Sequence, residues 1–132
     1  MRANELMIGD WIHAKSQDVN SRVIDIEGKD HETEAVWLAD KSCWGRLFMN
    51  EIEPIPITDK ILAKNFEKNG DHYGICNEYF AFGIKEVDDQ TYMVNCYCRL
   101  LDLPHSQIVP IQYVHELQHV MRLFAIKKYI EL

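Results

Sequence analysis

The chain has 132 residues, 47% of them apolar and 27% charged, enough for one compact domain or two small lobes and without the polar tracts of a disordered protein. Its 21 acidic residues against 14 Lys and Arg give a formal charge of −7. The basic residues are scattered, which argues against a nucleic-acid backbone as the main partner. No stretch approaches the run of about 18 apolar residues that a spanning helix needs, and the N-terminus lacks the apolar segment of a signal peptide. The expectation is a cytoplasmic protein without membrane contact, whose four cysteines, Cys43, Cys76, Cys96 and Cys98, are reduced thiols.

The first third reads as short extended segments broken by polar turns: Met7 to His13, Arg22 to Glu27, Glu34 to Leu38 and Arg46 to Met49. Together they predict a small bent β-sheet or barrel. The stretch Gly9-Asp10-Trp11-Ile12 is like the opening strand of small barrels of the Src-homology type. Gly28 is read as a turn residue, free to take a positive φ. Glu53-Pro54-Ile55-Pro56-Ile57-Thr58 reads as a stiff extended connector, because each proline fixes its own φ and disfavours helix in the residue before it. Thr58 is placed to cap a helix over Asp59 to Phe66, ended or followed by Gly70.

Strands are predicted at His72 to Cys76, Tyr79 to Ile84 and Thr91 to Arg99, with the turn of the last pair at Val87 to Gln90. Cys96 and Cys98 alternate with Tyr92 and Val94 on one face and read as core residues; a metal site completed by His105 is the rival. Leu103-Pro104-His105 is a break, Ile108-Val109 a short strand, and Pro110 stands close to the start of a terminal helix. The fold class is α+β: an N-terminal small bent sheet or barrel, then a second antiparallel sheet packed by two helices. The organisation is a single domain over residues 1–132, with a β-rich half to residue 53.

The terminal helix carries His115-Glu116-Leu117-Gln118-His119, the H-E-x-x-H pattern in which two histidines one turn apart bind zinc and the glutamate takes a proton from metal-bound water. A third ligand is required, with His72, Asp102 and His105 as candidates. The extended form of the motif needs Gly and His where this chain has Arg122 and Ala125. The form with a glutamate ligand on a following helix has no room, with Glu131 placed along the same helix. On a helical wheel Tyr113, Val114, Leu117, Val120, Met121 and Phe124 share a broad apolar arc, whereas Gln112, His115, His119 and Arg122 fall on the opposite side, and the two histidines read as solvated. Asp88-Asp89 reads as a solvated turn, and Trp11, Trp37 and Trp44 as packing residues, with a stacking surface as the rival.

Three blocks, Asn4 to Ile12, Glu53 to Thr58 and Tyr113 to Gln118, resemble a family of small uncharacterised proteins of gut bacteria and their mobile elements. That family opens with N-E-L-R-I-G-N-W-V, holds E-P-I-P-L-T before a helix and closes with V-H-E-L-Q-N or V-H-Q-L-Q-N. The family carries no established activity. Its pattern has Asn at the place of His119 and admits Gln at the place of Glu116, which implies that the zinc signature is not a family property. The expected role is a non-enzymatic binding or accessory module that engages a protein partner, with no cofactor. Its rivals are a zinc-dependent hydrolase using His115, Glu116 and His119, and a nucleic-acid-binding accessory protein of a mobile element.

Overall fold

The computed structural model describes residues 1–28, 34–39, 44–76, 78–98 and 107–132. The chain divides into two compact units, Met1–Ile55 with Tyr113–His115, and Pro56–Gln112 with Glu116–Leu132. Among the described residues no helix is long and apolar enough to cross a membrane.

The first unit is a five-stranded antiparallel sheet. Strands β1 (Trp11–Ala14), β2 (Val19–Glu27), β3 (Ala35–Ala39), β4 (Trp44–Phe48) and β5 (Ile52–Pro54) lie in the order β4-β3-β2-β1-β5. A register shift between Val23 and Asp25 bends β2 in its middle, as an extra residue in one strand of a pair does. Ile12, Ala14, Val23, Val36, Leu38 and Ile52 form its buried core.

The predicted strand from Met7 begins only at Trp11. Met7 to Asp10 is instead a tight turn in which Asp10 N–H donates to the Met7 carbonyl at 3.1 Å. Gly9 sits at φ 92°, a conformation that glycine adopts without steric cost. The Asp10 side chain is fully buried and accepts the Met7 N–H at 2.7 Å. Gly9 and Asp10 then bond Val23 on β2, N–H to carbonyl at 2.7 Å and carbonyl to N–H at 2.9 Å. The turn is thereby fixed from both sides, which is why the chain enters β1 with a defined register.

Two further expectations are corrected. The connector starts as a strand: β5 pairs with β1 through Ile12↔Pro54, His13↔Glu53 and Ala14↔Ile52. Proline is tolerated there because β5 ends the strand order and needs no N–H on its outer side. Gly28 does not take a positive φ; the glycines that do are Gly9, Gly45 and Gly70.

The second unit holds the other antiparallel sheet, β6 (Glu67–Asn69), β7 (His72–Cys76), β8 (Phe80–Asp88), β9 (Thr91–Cys98) and β10 (Gln107–Ile111), in the order β10-β9-β8-β7-β6. Two helices, α1 (Asp59–Asn65) and α2 (Val114–Leu123), complete the α+β fold. Thr58 caps α1 as predicted, its hydroxyl accepting the Ile61 N–H at 3.3 Å. Gly70 does not stop that helix. Strand β6 intervenes, and Gly70 at φ 67° turns the chain from β6 into β7. Pro110 lies inside β10 opposite Met93, again on an outermost strand, and the terminal helix starts at Val114.

Burial alternates along the middle of the central strands and is lost at the end of β8, where Lys85 to Asp88 are all exposed. Tyr73, Phe82, Ile84, Tyr92, Val94 and Cys96 are buried, and the Phe66 ring at the end of α1 lies 6.2 Å from that of Phe82. Leu62, Leu117 and Met121 supply the buried helical residues. His72, Cys76, Lys85 and Asn95, on the other face, are exposed.

Helix α2 ends in a left-handed cap. Ala125 stands at φ 56°, its N–H donating to Arg122 and that of Ile126 to Met121, the paired bonds that close a helix when the residue after its last turn reverses hand. The tail therefore leaves the helix axis, and Glu131 is not on the helix as expected. The Asn65 amide donates to the Glu131 carbonyl at 2.7 Å and accepts the Glu131 N–H at 2.7 Å, tying the tail to α1.

Candidate functional site

The H-E-x-x-H motif occupies the first two turns of α2. His115 is 5% exposed and its ring stacks on that of Tyr113, centroids 5.9 Å apart and planes 11° apart. This corrects the expectation of a solvated histidine. A wheel reports only angle around the axis, and His115 is covered because it lies in the first turn: Val114 beside it donates its N–H to the Ile55 carbonyl at 2.9 Å.

Glu116 is half-buried, and its carboxylate accepts the Gln112 N–H at 2.7 Å. It therefore closes off a backbone donor just outside the helix, as acidic residues in a first turn do. His119 is half-buried. Of the candidate third ligands, His72 lies on β7 and pairs with Asp71; Asp102 and His105 lie outside the described residues, as does Cys43. Among the described residues no three His, Cys, Asp or Glu side chains come together in a way that could hold a metal ion. Asp88 and Asp89 are exposed in their turn. The described residues thus do not assemble the coordination that a zinc hydrolase requires.

Two aromatic residues of the first sheet, Trp37 and Trp11, have local partners. Trp37 donates its indole N–H to Glu27 at 2.7 Å, and the same carboxylate accepts from Arg46 at 2.9 Å. Arg22 lies over the half-buried Trp11 ring at 5.6 Å.

Among the described residues, one feature with the shape of a site is on the face of the second sheet opposite its buried side. A groove of about 520 Å³ runs over β6, β7, β8 and β9, within the ~300–1,000 Å³ typical of ligand pockets. Its floor follows from register. Glu67 lies opposite Gly74, Gly74 opposite Gly83, and Gly83 opposite Asn95. One row across the sheet thus has two adjacent positions without side chains, while the next row carries Lys85 opposite Met93 and the row on the far side Cys76 opposite Ala81.

One end of the groove is electrostatically organised. Asp71 pairs with His72 and, at 2.9 Å, with the Lys85 ammonium. The Lys85 hydrogen bond holds the Asp71 carboxyl below the usual aspartate range; desolvation opposes this, and the neighbouring His72 and Lys85 add to the lowering. Asp71 thus holds the His72 ring and the Lys85 ammonium at the rim.

Sequence alone does not disclose this site, because Gly74 and Gly83 are nine residues apart and only strand pairing makes them neighbours. A signal was present: Tyr73-Gly74-Ile75 and Phe82-Gly83-Ile84 repeat aromatic-Gly-Ile in two alternating segments. Paired antiparallel, they set Tyr73 against Ile84 and Ile75 against Phe82 on the buried face, which leaves the glycines on the open one.

No protein-family model matches the chain, and neither a curated protein nor a solved structure does.

Proposed function

We propose that the chain is a small cytosolic, non-enzymatic binding module that engages a protein partner through the open face of the second sheet. The observation that carries the reading is the glycine-floored groove across β7 and β8. The surface combines concavity, apolar contact from Met93 and Ala81, and polar rim groups at Asn95, Glu67 and Lys85, the mixture by which a protein surface receives a peptide segment. The resemblance to the bacterial and mobile-element family supports an accessory role over catalysis. Its pattern admits Gln as well as Glu at the place of Glu116, and Gln also offers a side-chain oxygen to the Gln112 N–H, so that the helix cap is preserved where the general base is lost.

The test is selection of a random-peptide display library on the immobilised protein, followed by amide-shift mapping of enriched peptides on the isotopically labelled chain. Enriched sequences that move the amides of β7, β8 and β9 support the reading. Failure to enrich any sequence above an unrelated protein, or shifts confined to residues 1–55, overturns it.

A further inference from the structure

Gly83 has no role in the architecture of its own strand. Its φ is outside the left-handed region, the irregularity of the β8 and β9 pair lies at Glu86 and Asp88, and a Cβ built on it would meet no described atom within 4 Å. Gly74 is different. A Cβ there would run into the Phe82 carbonyl oxygen, so the backbone of the fold itself demands glycine at that position. Glycine inside a strand weakens it, and where neither a bulge nor a positive φ asks for it, it marks close approach by something else.

Resting on the binding-module reading, we infer that Gly83 is kept bare for an aromatic side chain of the partner, whose ring lies on the Gly74 and Gly83 backbone. Three features select a ring over a branched aliphatic group. The bare area spans two strands and one side-chain row, about 10 Å by 7 Å from strand and residue spacings, which is the footprint of a phenol or indole. Flat rings are the groups that cover exposed glycine backbone in sheets. Met93, diagonal to Gly83 through the Lys85 and Asn95 pairings, offers a thioether to the ring edge, a favourable contact specific to aromatics. Asn95, directly opposite Gly83, is within the same row to meet the polar tip of a Tyr or Trp.

The experiment titrates the labelled full chain with N-acetyl-tryptophanamide and N-acetyl-tyrosinamide, with N-acetyl-leucinamide for comparison, and repeats it on Gly83→Ala and Gly83→Val. The expected result is saturable shifts at the amides of Gly74, Gly83, Met93 and Asn95 with both aromatic amides. Leucinamide should bind roughly tenfold more weakly, and binding should be lost in Gly83→Val while its melting temperature stays at or above that of the parent. Gly83→Ala, with one methyl group in open space, reads the same loss if the valine variant does not fold. Absence of shifts at these amides, equal response to leucinamide, or undiminished binding by both variants overturns the proposal. Library peptides that lack aromatics yet move the same amides would overturn the ring and leave the module standing, whereas aromatic shifts without any enriched peptide would do the reverse.

Discussion

Replacing Asn65 by alanine tests whether the C-terminal tail is held by one buried amide. Asn65 is 5% exposed and its side chain makes three bonds: amide to the Ile61 carbonyl at 2.8 Å, amide to the Glu131 carbonyl at 2.7 Å, and carbonyl from the Glu131 N–H at 2.7 Å. The first adds to a carbonyl already within the helix and is worth little. The other two are the tail's own, at about 0.5–1.5 kcal/mol each. Alanine recovers at most about 0.5 kcal/mol of helix propensity at the last helical position. The net expectation is a loss of about 0.5–2.5 kcal/mol, or about 2–9 °C in melting temperature for a chain of this size.

Urea denaturation with hydrogen exchange at Ile130, which is 4% exposed, measures both parts. Exchange at Ile130 should accelerate more than exchange in β8 and β9, because the tail opens first. A variant within about 0.5 kcal/mol of the parent, below the range expected for the two bonds, refutes the reasoning. So does a loss shared equally by tail and sheet.

The other expectations are simpler to state. Ala125→Gly relieves a left-handed conformation that costs an L-residue about 1 kcal/mol and should raise the melting temperature by about 3–5 °C; no gain would mean that the cap is not formed in solution. Asp71, held low by its hydrogen bond to Lys85, should titrate below 3.8 in a carbon-detected NMR experiment, and Lys85→Met should move the midpoint upward. Because the folded carboxyl is the stronger acid, its contribution to stability is present above the unfolded pKa and is lost as pH falls through the lowered folded one. Glu116→Gln should leave stability nearly unchanged and Glu116→Ala should cost about 0.5–1 kcal/mol, read by thermal melting. Elemental analysis of the purified chain should find zinc well below one per chain and unaltered by His119→Asn, whereas stoichiometric zinc lost in that variant would restore the hydrolase.

What the sequence disclosed was local. The Thr58 cap needs only Ile61, three residues on, and β7 to β9 declare themselves by alternation because one face is buried and the other is not. Strand β5 escaped because Pro54 argues against a strand until the sheet order makes β5 an outermost one. The same error hid the extent of β10 around Pro110. His115 was misplaced because a wheel has no axial coordinate: the first turn of a helix is covered by whatever precedes it, here the bond from Val114 to Ile55 and the Tyr113 ring. The groove was least legible, since it consists of an absence of side chains at two positions that become adjacent only through pairing.

The reversal of aromatic-Gly-Ile between β7 and β8 gives the groove floor an approximate local dyad, running through the Gly74 and Gly83 pair perpendicular to the sheet. A ligand resting on that floor sees nearly the same backbone whether it arrives in one direction or turned by half a revolution. Orientation would then be chosen at the margins, where the two ends differ: the Asp71 and Lys85 ion pair with His72 beside it at one, the neutral Cys76 and Ala81 pair at the other. If the groove holds a segment as proposed, exchanging Lys85 for a neutral residue should let that segment run both ways along the sheet with little change in how tightly it is held.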